Sequence, residues 1–253
     1  MKKLLKRIWR LVPAGELKTK IHCRLYNRDG FSFWYQKGVF HVSGPQGIRM
    51  RTNEAPFNLI KYYRWFLKHY NPKQGDTVVD AGAYNGHVSI LLSKLVGSSG
   101  RVISFEPDPS NRALCSLNMI LNGSKNITLI DKGLWTEDKV LEFNSNNSVA
   151  SSVYYEAEDA HKIQIGVTSL DLFFQRHKLD VCHYIKMNIE GSEIMALKGA
   201  TEILTKYKPA LTITTDHIVD GKQTTEPVEQ ILNQHHYKVW TEEDGSAKIT
   251  YAV

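Results

Sequence analysis

The alternation of short apolar strands with helices after Gly75 constrains the fold more than any other feature of the sequence. Five inner strands are predicted, at residues 77–81, 101–105, 126–130, 184–189 and 210–215. Helices are predicted between and after these strands, at residues 87–96, 109–121, 192–205 and 226–234. Because βα repeats with continuously apolar strands form parallel sheets covered on both faces, we expect an α/β fold with a doubly wound, mostly parallel sheet of seven strands. The last two strands, at 237–240 and 247–251, are expected to form an antiparallel edge.

Less regular patterns occupy the rest of the chain. A small α+β extension is predicted at residues 1–70, followed by a ligand-binding domain at 71–253. The extension is expected to contain a basic amphipathic helix, then a hairpin or two strands, then a second helix, at residues 1–12, 31–51 and 53–70. Within the larger domain, a hairpin is expected at 135–160 and a short helix within 167–177.

The positive charge of the chain is concentrated at its amino terminus. The formal net charge is +6, and residues 1–20 carry seven Lys and Arg side chains against the single acid Glu16. The remaining chain is therefore close to neutral. A uniformly basic body of the kind that binds nucleic acid is not indicated.

The basic helix at 1–12 has two interpretations. It docks peripherally on the anionic inner surface of a membrane, or it packs on its own domain or on a partner subunit of a homo-oligomer. The sequence contains no apolar run of the ~20 residues that a membrane-spanning helix needs. Nor does it contain the unbroken apolar stretch of a secretory signal. Three widely separated cysteines favour a reduced, cytoplasmic setting.

A glycine-bearing turn follows the first inner strand. The strand ends in Asp80, and the turn Gly82-Ala83-Tyr84-Asn85-Gly86 opens the next helix. Ligands of doubly wound sheets bind beyond the carboxyl ends of the strands. The Gly-x-x-x-Gly spacing differs from the Gly-x-Gly-x-x-Gly pattern that receives a pyrophosphate, so a cationic group facing Asp80 is favoured. A tight turn without a ligand is the alternative.

The next two strands also end in acids. Glu106 follows the strand at 101–105, and a carboxylate at this position can accept both ribose hydroxyls of an adenosine. Pro107 then fixes the turn into the following helix. Asp131 ends the third strand, where it either reaches an adenine amino group or lies in a solvated turn.

These motifs together resemble the FkbM-type methyltransferases. The matching stretches run in family order from Gly75 to His217 and read VVDAGAYNGHVSILL, GRVISFEPDPSNRALCSLNMILNG, TSLDLFF, IKMNIEGSEIMALKGATEIL and KPALTITTDH. The resemblance implies a Rossmann-like class I methyltransferase that uses S-adenosylmethionine and methylates hydroxyl groups of sugars or polyketides. It implies that Asp80, the Gly82–Gly86 turn, Glu106, Pro107 and Asp131 hold the cofactor. It says little about residues 1–70.

The fourth matching block departs from the family pattern. The family usually has Lys-x-Asp-x-Glu-Gly, whereas here Asn188 stands between Lys186 and Glu190. We predict Asn188 as a substrate-binding residue and Lys186 and Glu190 as catalytic, because strand alternation places the three on one face. An ion pair between Lys186 and Glu190 is the alternative. An amide is a weak ligand for a hard cation, so no metal site is predicted.

His217, just past the strand at 210–215, is the histidine best placed to act as a base. A structural role is the alternative. The sequence therefore predicts an O-methyltransferase acting on a hydroxyl of a sugar, glycan or other secondary metabolite. An RNA or protein methyltransferase, and a catalytically weak partner subunit that binds the cofactor, remain open alternatives.

Overall fold

The computed structural model describes residues 14–145, 152–154 and 161–253. The chain divides into two compact units, Met1–Ile60 and Lys61–Val253. The helix predicted at 1–12 lies outside the described residues, and the domain boundary predicted after residue 70 stays a prediction. None of the helices in the described ranges is long and apolar enough to cross a membrane.

The elements are numbered in chain order within the described residues. The helices are α1 Glu16–Leu25, α2 Leu59–Phe66, α3 His87–Val96, α4 Pro109–Asn122, α5 Leu170–Arg176, α6 Glu193–Lys198, α7 Thr201–Lys206 and α8 Thr225–Gln234. The strands before residue 135 are β1 Ser32–Gln36, β2 Val39–Ser43, β3 Arg49–Thr52, β4 Thr77–Ala81, β5 Arg101–Phe105, β6 Ile127–Ile130 and β7 Lys132–Leu134. The later strands are β8 Lys139–Ser145, β9 His161–Thr168, β10 Tyr184–Met187, β11 Ala210–Thr214, β12 Ile218–Val219, β13 Lys222–Gln223, β14 Val239–Asp244 and β15 Ala247–Ala252.

The first unit contains a three-stranded antiparallel sheet in the order β1-β2-β3. The sequence predicted only a hairpin or two strands here. The core of this unit is aromatic, since the rings of Phe33 and Phe40 both pack edge-on against Phe57. The helix predicted at 53–70 is shorter than expected and spans only Leu59–Phe66.

The second unit is built on a seven-stranded sheet in the order β14-β15-β11-β10-β4-β5-β6. The five strands from β11 to β6 are parallel, and β15 and β14 add an antiparallel edge. This confirms the predicted doubly wound sheet. Every residue of β4 and of β10 is buried, as expected for strands covered on both faces.

Several elements differ from the sequence-based expectation. Strand β9 was not predicted, and with β7 and β8 it forms a separate small sheet in the order β7-β9-β8. The helix predicted at 192–205 is two helices, α6 and α7, separated at Gly199. A Cβ atom at Gly199 would lie 2.1 Å from the carbonyl oxygen of Trp135. The chain bends there because another segment packs directly on its backbone.

The carboxyl-terminal end of α2 is tied to the central sheet by two tyrosines. Tyr184 of β10 donates its hydroxyl to the carbonyl oxygen of Phe66, and Tyr251 of β15 donates to that of Trp65 at 3.1 Å. Both hydroxyls are buried and satisfied by these bonds. This packing positions Phe66 beside the carboxyl ends of β4 and β10.

Candidate cofactor and acceptor site

A cleft of about 870 Å³ lies at the carboxyl ends of β4 and β10. These strands are neighbours in the sheet, although the chain first runs outward from β4 through β5 and β6 and only later returns to β10. This reversal of strand order is the place where doubly wound sheets bind ligands.

The turn after β4 forms one wall of the cleft. The backbone N–H groups of Gly82 and Ala83 both donate to the carbonyl oxygen of Phe105, each at 3.0 Å. Gly82 has φ +79°, and a Cβ atom on it would lie 2.0 Å from the carbonyl oxygen of Asn188. The turn is therefore packed so closely on the end of β10 that only glycine fits at this position.

The rest of this turn divides into lining and packing residues. Tyr84, with φ +51°, lines the cleft together with Ala83 and Asn85. Gly86 does not line the cleft. A Cβ atom on it would lie 2.7 Å from the sulfur of Cys115, so this glycine permits close packing of α3 on α4 instead.

Glu106 is a buried carboxylate on the cleft wall. Its Oε2 accepts a hydrogen bond from the N–H of Tyr84 at 2.7 Å, and its Oε1 accepts one from the N–H of Asp108 at 3.0 Å. Burial raises the pKa of Glu106 to about 7, although these donors oppose the shift. The side chain of Asn111 also hydrogen-bonds this carboxylate, so about one of its roughly four acceptor positions remains available. Pro107, next in the chain, also lines the cleft.

Asp80 lies beneath the cleft rather than on its wall. The side chain has no exposed surface and forms an ion pair of 2.8 Å with Lys186, which itself is 3% exposed. The positive charge that Asp80 faces in this structure is that of Lys186, and the expected contact of Asp80 with a cationic ligand stays a prediction. The amine of Lys186 also donates to the carbonyl oxygens of Ala81 and Gly82. These contacts give Lys186 a structural role, and its expected catalytic role stays a prediction.

Asp131 is exposed and does not line the cleft. The expectation that it reaches an adenine group stays a prediction. Gly133, Leu134 and Trp135, a few residues further along, line the cleft instead. The chain enters β7 immediately after β6, which turns these later residues rather than Asp131 toward the cleft.

Asn188 and Glu190, which follow β10, both line the cleft, and so does Lys186 of β10. Strand β10 ends at Met187, so the alternation used to group the three residues stops before Asn188. Glu190 has φ +52°, and its side chain is 18% exposed. No ion pair joins Lys186 to Glu190 among the described residues, because the first pairs with Asp80 and the second with His217.

His217 lies between two carboxylates. Its Nδ1 is 2.9 Å from Oε1 of Glu193, and its Nε2 is 3.4 Å from Oε1 of Glu190. Burial lowers the pKa of the ring, but the two carboxylates raise it more, to about 10. A pKa of about 10 favours the protonated ring at neutral pH, a form that cannot accept a proton, and the base role expected for His217 stays a prediction. The partner that causes this, Glu193, was not singled out from the sequence.

Sequence reasoning missed the aromatic and apolar residues of the cleft. Tyr62 and Phe66 of α2 line it, and their rings stack at 5.6 Å. Trp135, Phe143 and Ile165 form an apolar wall contributed by the small sheet and the segment before it. No signal in the sequence marks these residues, because an apolar residue that faces a ligand has the same pattern as one that faces the core.

The strand order of the central sheet, with a glycine turn after β4 and an acid after β5, is that of the class I, Rossmann-like methyltransferases. Members of this class use S-adenosylmethionine as the methyl donor. The chain belongs to the FkbM methyltransferase family, because residues 80–239 match the methyltransferase FkbM domain. The family, fold class and cofactor expected from the sequence are thereby confirmed.

Solved structures show the same fold. The methyltransferase FkbM from Methylobacillus flagellatus KT is 22% identical with a TM-score of 0.57, and the match covers 76% of this chain and 48% of that chain. This chain thus spans about half the length of that relative. Fibrillarin from Aeropyrum pernix, in complex with natively bound S-adenosyl-L-methionine, is 12% identical with a TM-score of 0.52, and the match covers 89% and 96% of the two chains. No curated protein matches this sequence.

Proposed function

We propose that this chain is an S-adenosylmethionine-dependent O-methyltransferase that acts on a hydroxyl group of a sugar, glycan or other secondary metabolite. The observation that carries the proposal is that two features occur together where the strand order reverses, at the carboxyl ends of β4 and β10. Glu106 offers a buried carboxylate with a spare acceptor position, and the adjoining turn is too closely packed for a side chain at Gly82.

The residues present fit the nucleoside part of the cofactor. Glu106 accepts a ribose hydroxyl at the acceptor position that the Tyr84 and Asp108 amides and the Asn111 side chain leave open. The cofactor-binding residues proposed on this basis line the cleft and are Gly82, Ala83, Tyr84, Asn85, Glu106 and Pro107. Asp80 supports them indirectly, because its partner Lys186 holds the carbonyl oxygen of Gly82 at 2.7 Å. The bound cofactor supplies an electrophilic methyl group.

The charges around the cleft favour a neutral acceptor. The charged residues among those lining it are Glu106, Lys186 and Glu190, and the charge of Lys186 is matched by Asp80. Residues 61–253 carry 20 Lys and Arg side chains against 23 Asp and Glu, a net charge of −3. This part of the chain is therefore not the uniformly basic body that is typical of nucleic-acid-binding domains. The apolar wall that includes Trp135 and Phe143 suits the apolar face of a sugar ring or an alkyl chain.

The protein's contribution to the reaction is mainly alignment. Because the methyl donor is already activated, holding an acceptor oxygen in line with it accounts for roughly 7–11 kcal/mol of the barrier reduction. The acceptor hydroxyl loses its proton as its bond to the methyl carbon forms. Glu190 is the proposed proton acceptor, since it lines the cleft and the two neighbouring carboxylates raise the pKa of His217 to about 10.

Calorimetry with S-adenosylhomocysteine tests the cofactor site. The wild-type protein is expected to bind it, and Glu106→Ala is expected to weaken binding by roughly 1–3 kcal/mol through loss of charge-assisted hydrogen bonds. A panel of hydroxyl compounds with radiolabelled S-adenosylmethionine then tests the acceptor class. Unchanged affinity in Glu106→Ala contradicts the cofactor site. Methylation of RNA, with binding that falls steeply between low and moderate salt, contradicts the acceptor class.

One observation favours a second candidate, a cofactor-binding partner subunit without turnover. Asn188 lines the cleft where the family pattern usually has an acid, and an amide cannot accept a proton. Under this alternative, the wild type binds S-adenosylhomocysteine but methylates no member of the hydroxyl panel. Asn188→Asp then restores turnover. The alternative is excluded if the wild type shows turnover and Asn188→Asp lowers that turnover or leaves it unchanged.

A further inference from the structure

The loop after β10 holds Glu190 in a conformation that non-glycine residues rarely adopt. Glu190 has φ +52°, and the next residue, Gly191, has φ +101°. The hydroxyl of Ser152 donates to the carbonyl oxygen of Glu190 at 2.6 Å. A left-handed residue of this kind persists only where the surrounding contacts determine it, so the position of Glu190 is imposed by its neighbours.

Glu193 anchors this loop from inside the protein. Its side chain has no exposed surface, and its two oxygens accept hydrogen bonds from the N–H groups of Ile189 and Gly191, each at 3.0 Å. Oε1 of the same carboxylate also lies 2.9 Å from Nδ1 of His217. The opposite nitrogen of the ring lies 3.4 Å from Glu190. A continuous chain, Glu193–His217–Glu190, therefore runs from the buried anchor to the cleft.

The charges around this chain keep the ring cationic. Glu193 and Glu190 flank it, and its pKa of about 10 reflects their combined effect against burial. The Tyr62 hydroxyl lies in the field of Glu190, and the Tyr154 hydroxyl lies in the fields of Asp220 and Glu193. Both tyrosine pKa values are raised, so these hydroxyls stay neutral and add no charge near neutral pH. Both nitrogens of a protonated ring are donors, which lets one ring bind two carboxylates.

We propose that His217 is a positioning residue: clamped on Glu193, it holds the carboxylate of Glu190 on the cleft wall, where Glu190 takes the proton from the acceptor hydroxyl. This inference rests on the proposed methyl transfer and assigns the acceptor side of the cleft to Glu190. His217 contacts neither cofactor nor acceptor. It acts by fixing the position of the Glu190 carboxylate.

The proton balance of this assignment is simple. The acceptor oxygen forms its bond to the methyl carbon as the carbon–sulfur bond breaks, and the electron pair of the broken bond stays on sulfur. The hydroxyl proton passes to Glu190 and then to solvent. A cationic donor and a neutral alcohol thus give a neutral thioether, a methyl ether and one proton.

Nuclear magnetic resonance of histidine-labelled protein tests the clamp without any acceptor. The His217 signal is assigned by its loss in His217→Gln and followed from pH 6 to pH 10. The ring is expected to remain protonated at pH 8.5, and Glu193→Gln is expected to lower its proton affinity by at least about tenfold. His236→Asn, at an exposed residue, is the matched control and leaves the titration unchanged. A His217 ring that is neutral at pH 7.5 overturns the proposal.

Crystal structures and calorimetry separate this inference from the proposed function. His217→Gln is expected to bind S-adenosylhomocysteine within about twofold of wild type, with Glu190 displaced from the cleft wall in its crystal structure. With an accepted hydroxyl compound, kcat falls about a hundredfold while KM for S-adenosylmethionine is unchanged. If His217→Gln does not fold, Glu190→Gln takes its place in the kinetic measurement. This variant keeps the size of the side chain and is expected to show the same loss of kcat. Absence of S-adenosylhomocysteine binding in wild type defeats the proposed function. An unmoved Glu190 or full kcat in His217→Gln, with cofactor binding intact, defeats only the positioning role.

Discussion

The amine of Lys186 lies 2.8 Å from Oδ1 of Asp80, and the two side chains are 3% and 0% exposed. The residues are directly opposite each other on the parallel neighbours β10 and β4. Ser89 of α3 donates to the second oxygen of Asp80 at 2.6 Å, and the Lys186 amine also holds the carbonyl oxygen of Gly82. The pair therefore joins the glycine turn, the central strands and helix α3 beneath the cleft.

Breaking this pair is expected to destabilise the second unit severely. Asp80→Asn leaves the Lys186 amine buried without a counter-charge, and such losses cost about 3–5 kcal/mol. Replacing both partners by apolar residues, Asp80→Leu with Lys186→Met, is expected to cost less than the single change, because no uncompensated charge remains. Denaturant unfolding measures both free energies.

The control for this measurement is an exposed pair in the same unit. Lys68 and Glu242 form an ion pair with side chains 50% and 31% exposed. Glu242→Gln is expected to change the free energy of unfolding by at most about 1 kcal/mol, because solvent screens exposed pairs. A comparable loss in Asp80→Asn and Glu242→Gln contradicts a special role for the buried pair.

The pair also shows what sequence reasoning can and cannot predict. Strands β4 and β5 and helix α3 were predicted to the residue, because buried strands between glycine turns have a strong local pattern. The acids at the strand ends were found for the same reason. That Asp80 meets Lys186 rather than a ligand depends on which strands are neighbours, and residues 106 positions apart carry no local signal of contact.

Glu106 is expected to make cofactor binding pH-dependent. Its pKa is raised from the ordinary 4.5 to about 7, so the folded protein holds a proton that the unfolded chain releases. The contribution of Glu106 to stability is therefore lost as pH rises from about 4.5 to about 7. Ribose hydroxyls donate to the ionised form, so affinity for S-adenosylhomocysteine should rise as pH increases through 7. Calorimetry at pH 6 should show affinity about tenfold below the plateau at higher pH, with proton release.

Glu106→Gln is the matched control for this pH effect. The amide keeps the shape of the side chain and does not titrate, so its affinity should be weaker and flat between pH 6 and pH 8. Its stability should exceed that of wild type above pH 7, because the cost of ionising a buried carboxyl is removed. A variant with the same pH profile as wild type would assign the titration to another group.

The three cysteines are expected to be unreactive in the folded protein. Cys23, Cys115 and Cys182 are buried, and burial raises the pKa of Cys182 to about 12. The thiolate is the reactive form, so neither exposure nor ionisation favours attack on a disulfide reagent. A colorimetric thiol assay should detect no rapid reaction under native conditions and three thiols in denaturant. Rapid labelling of the native protein would show that one of these sites opens readily.

The irregular parts of the cleft were the least predictable from sequence. The break at Gly199 depends on the carbonyl oxygen of Trp135, and the protonation of His217 depends on Glu193. Both are contacts between segments that are distant in the sequence, and neither contact produces a periodic pattern in the sequence. Glu190 was found from the motif, but its orientation follows from a left-handed backbone that strand alternation does not predict.

Two glycines with nearly the same backbone angle separate steric packing from backbone strain. Gly82 has φ +79° and Gly221 has φ +77°, but a Cβ atom would meet the Asn188 carbonyl oxygen at 2.0 Å in the first and nothing within 4 Å in the second. Gly221→Ala should therefore cost only the strain of a left-handed alanine, about 1–2 kcal/mol. Gly82→Ala carries the same strain and must also push β10 away from the turn. It should lose more stability in denaturant unfolding and lose S-adenosylhomocysteine binding, which Gly221→Ala retains. Equal losses in the two variants would mean that the turn relaxes freely, and close packing on Asn188 would no longer explain the glycine.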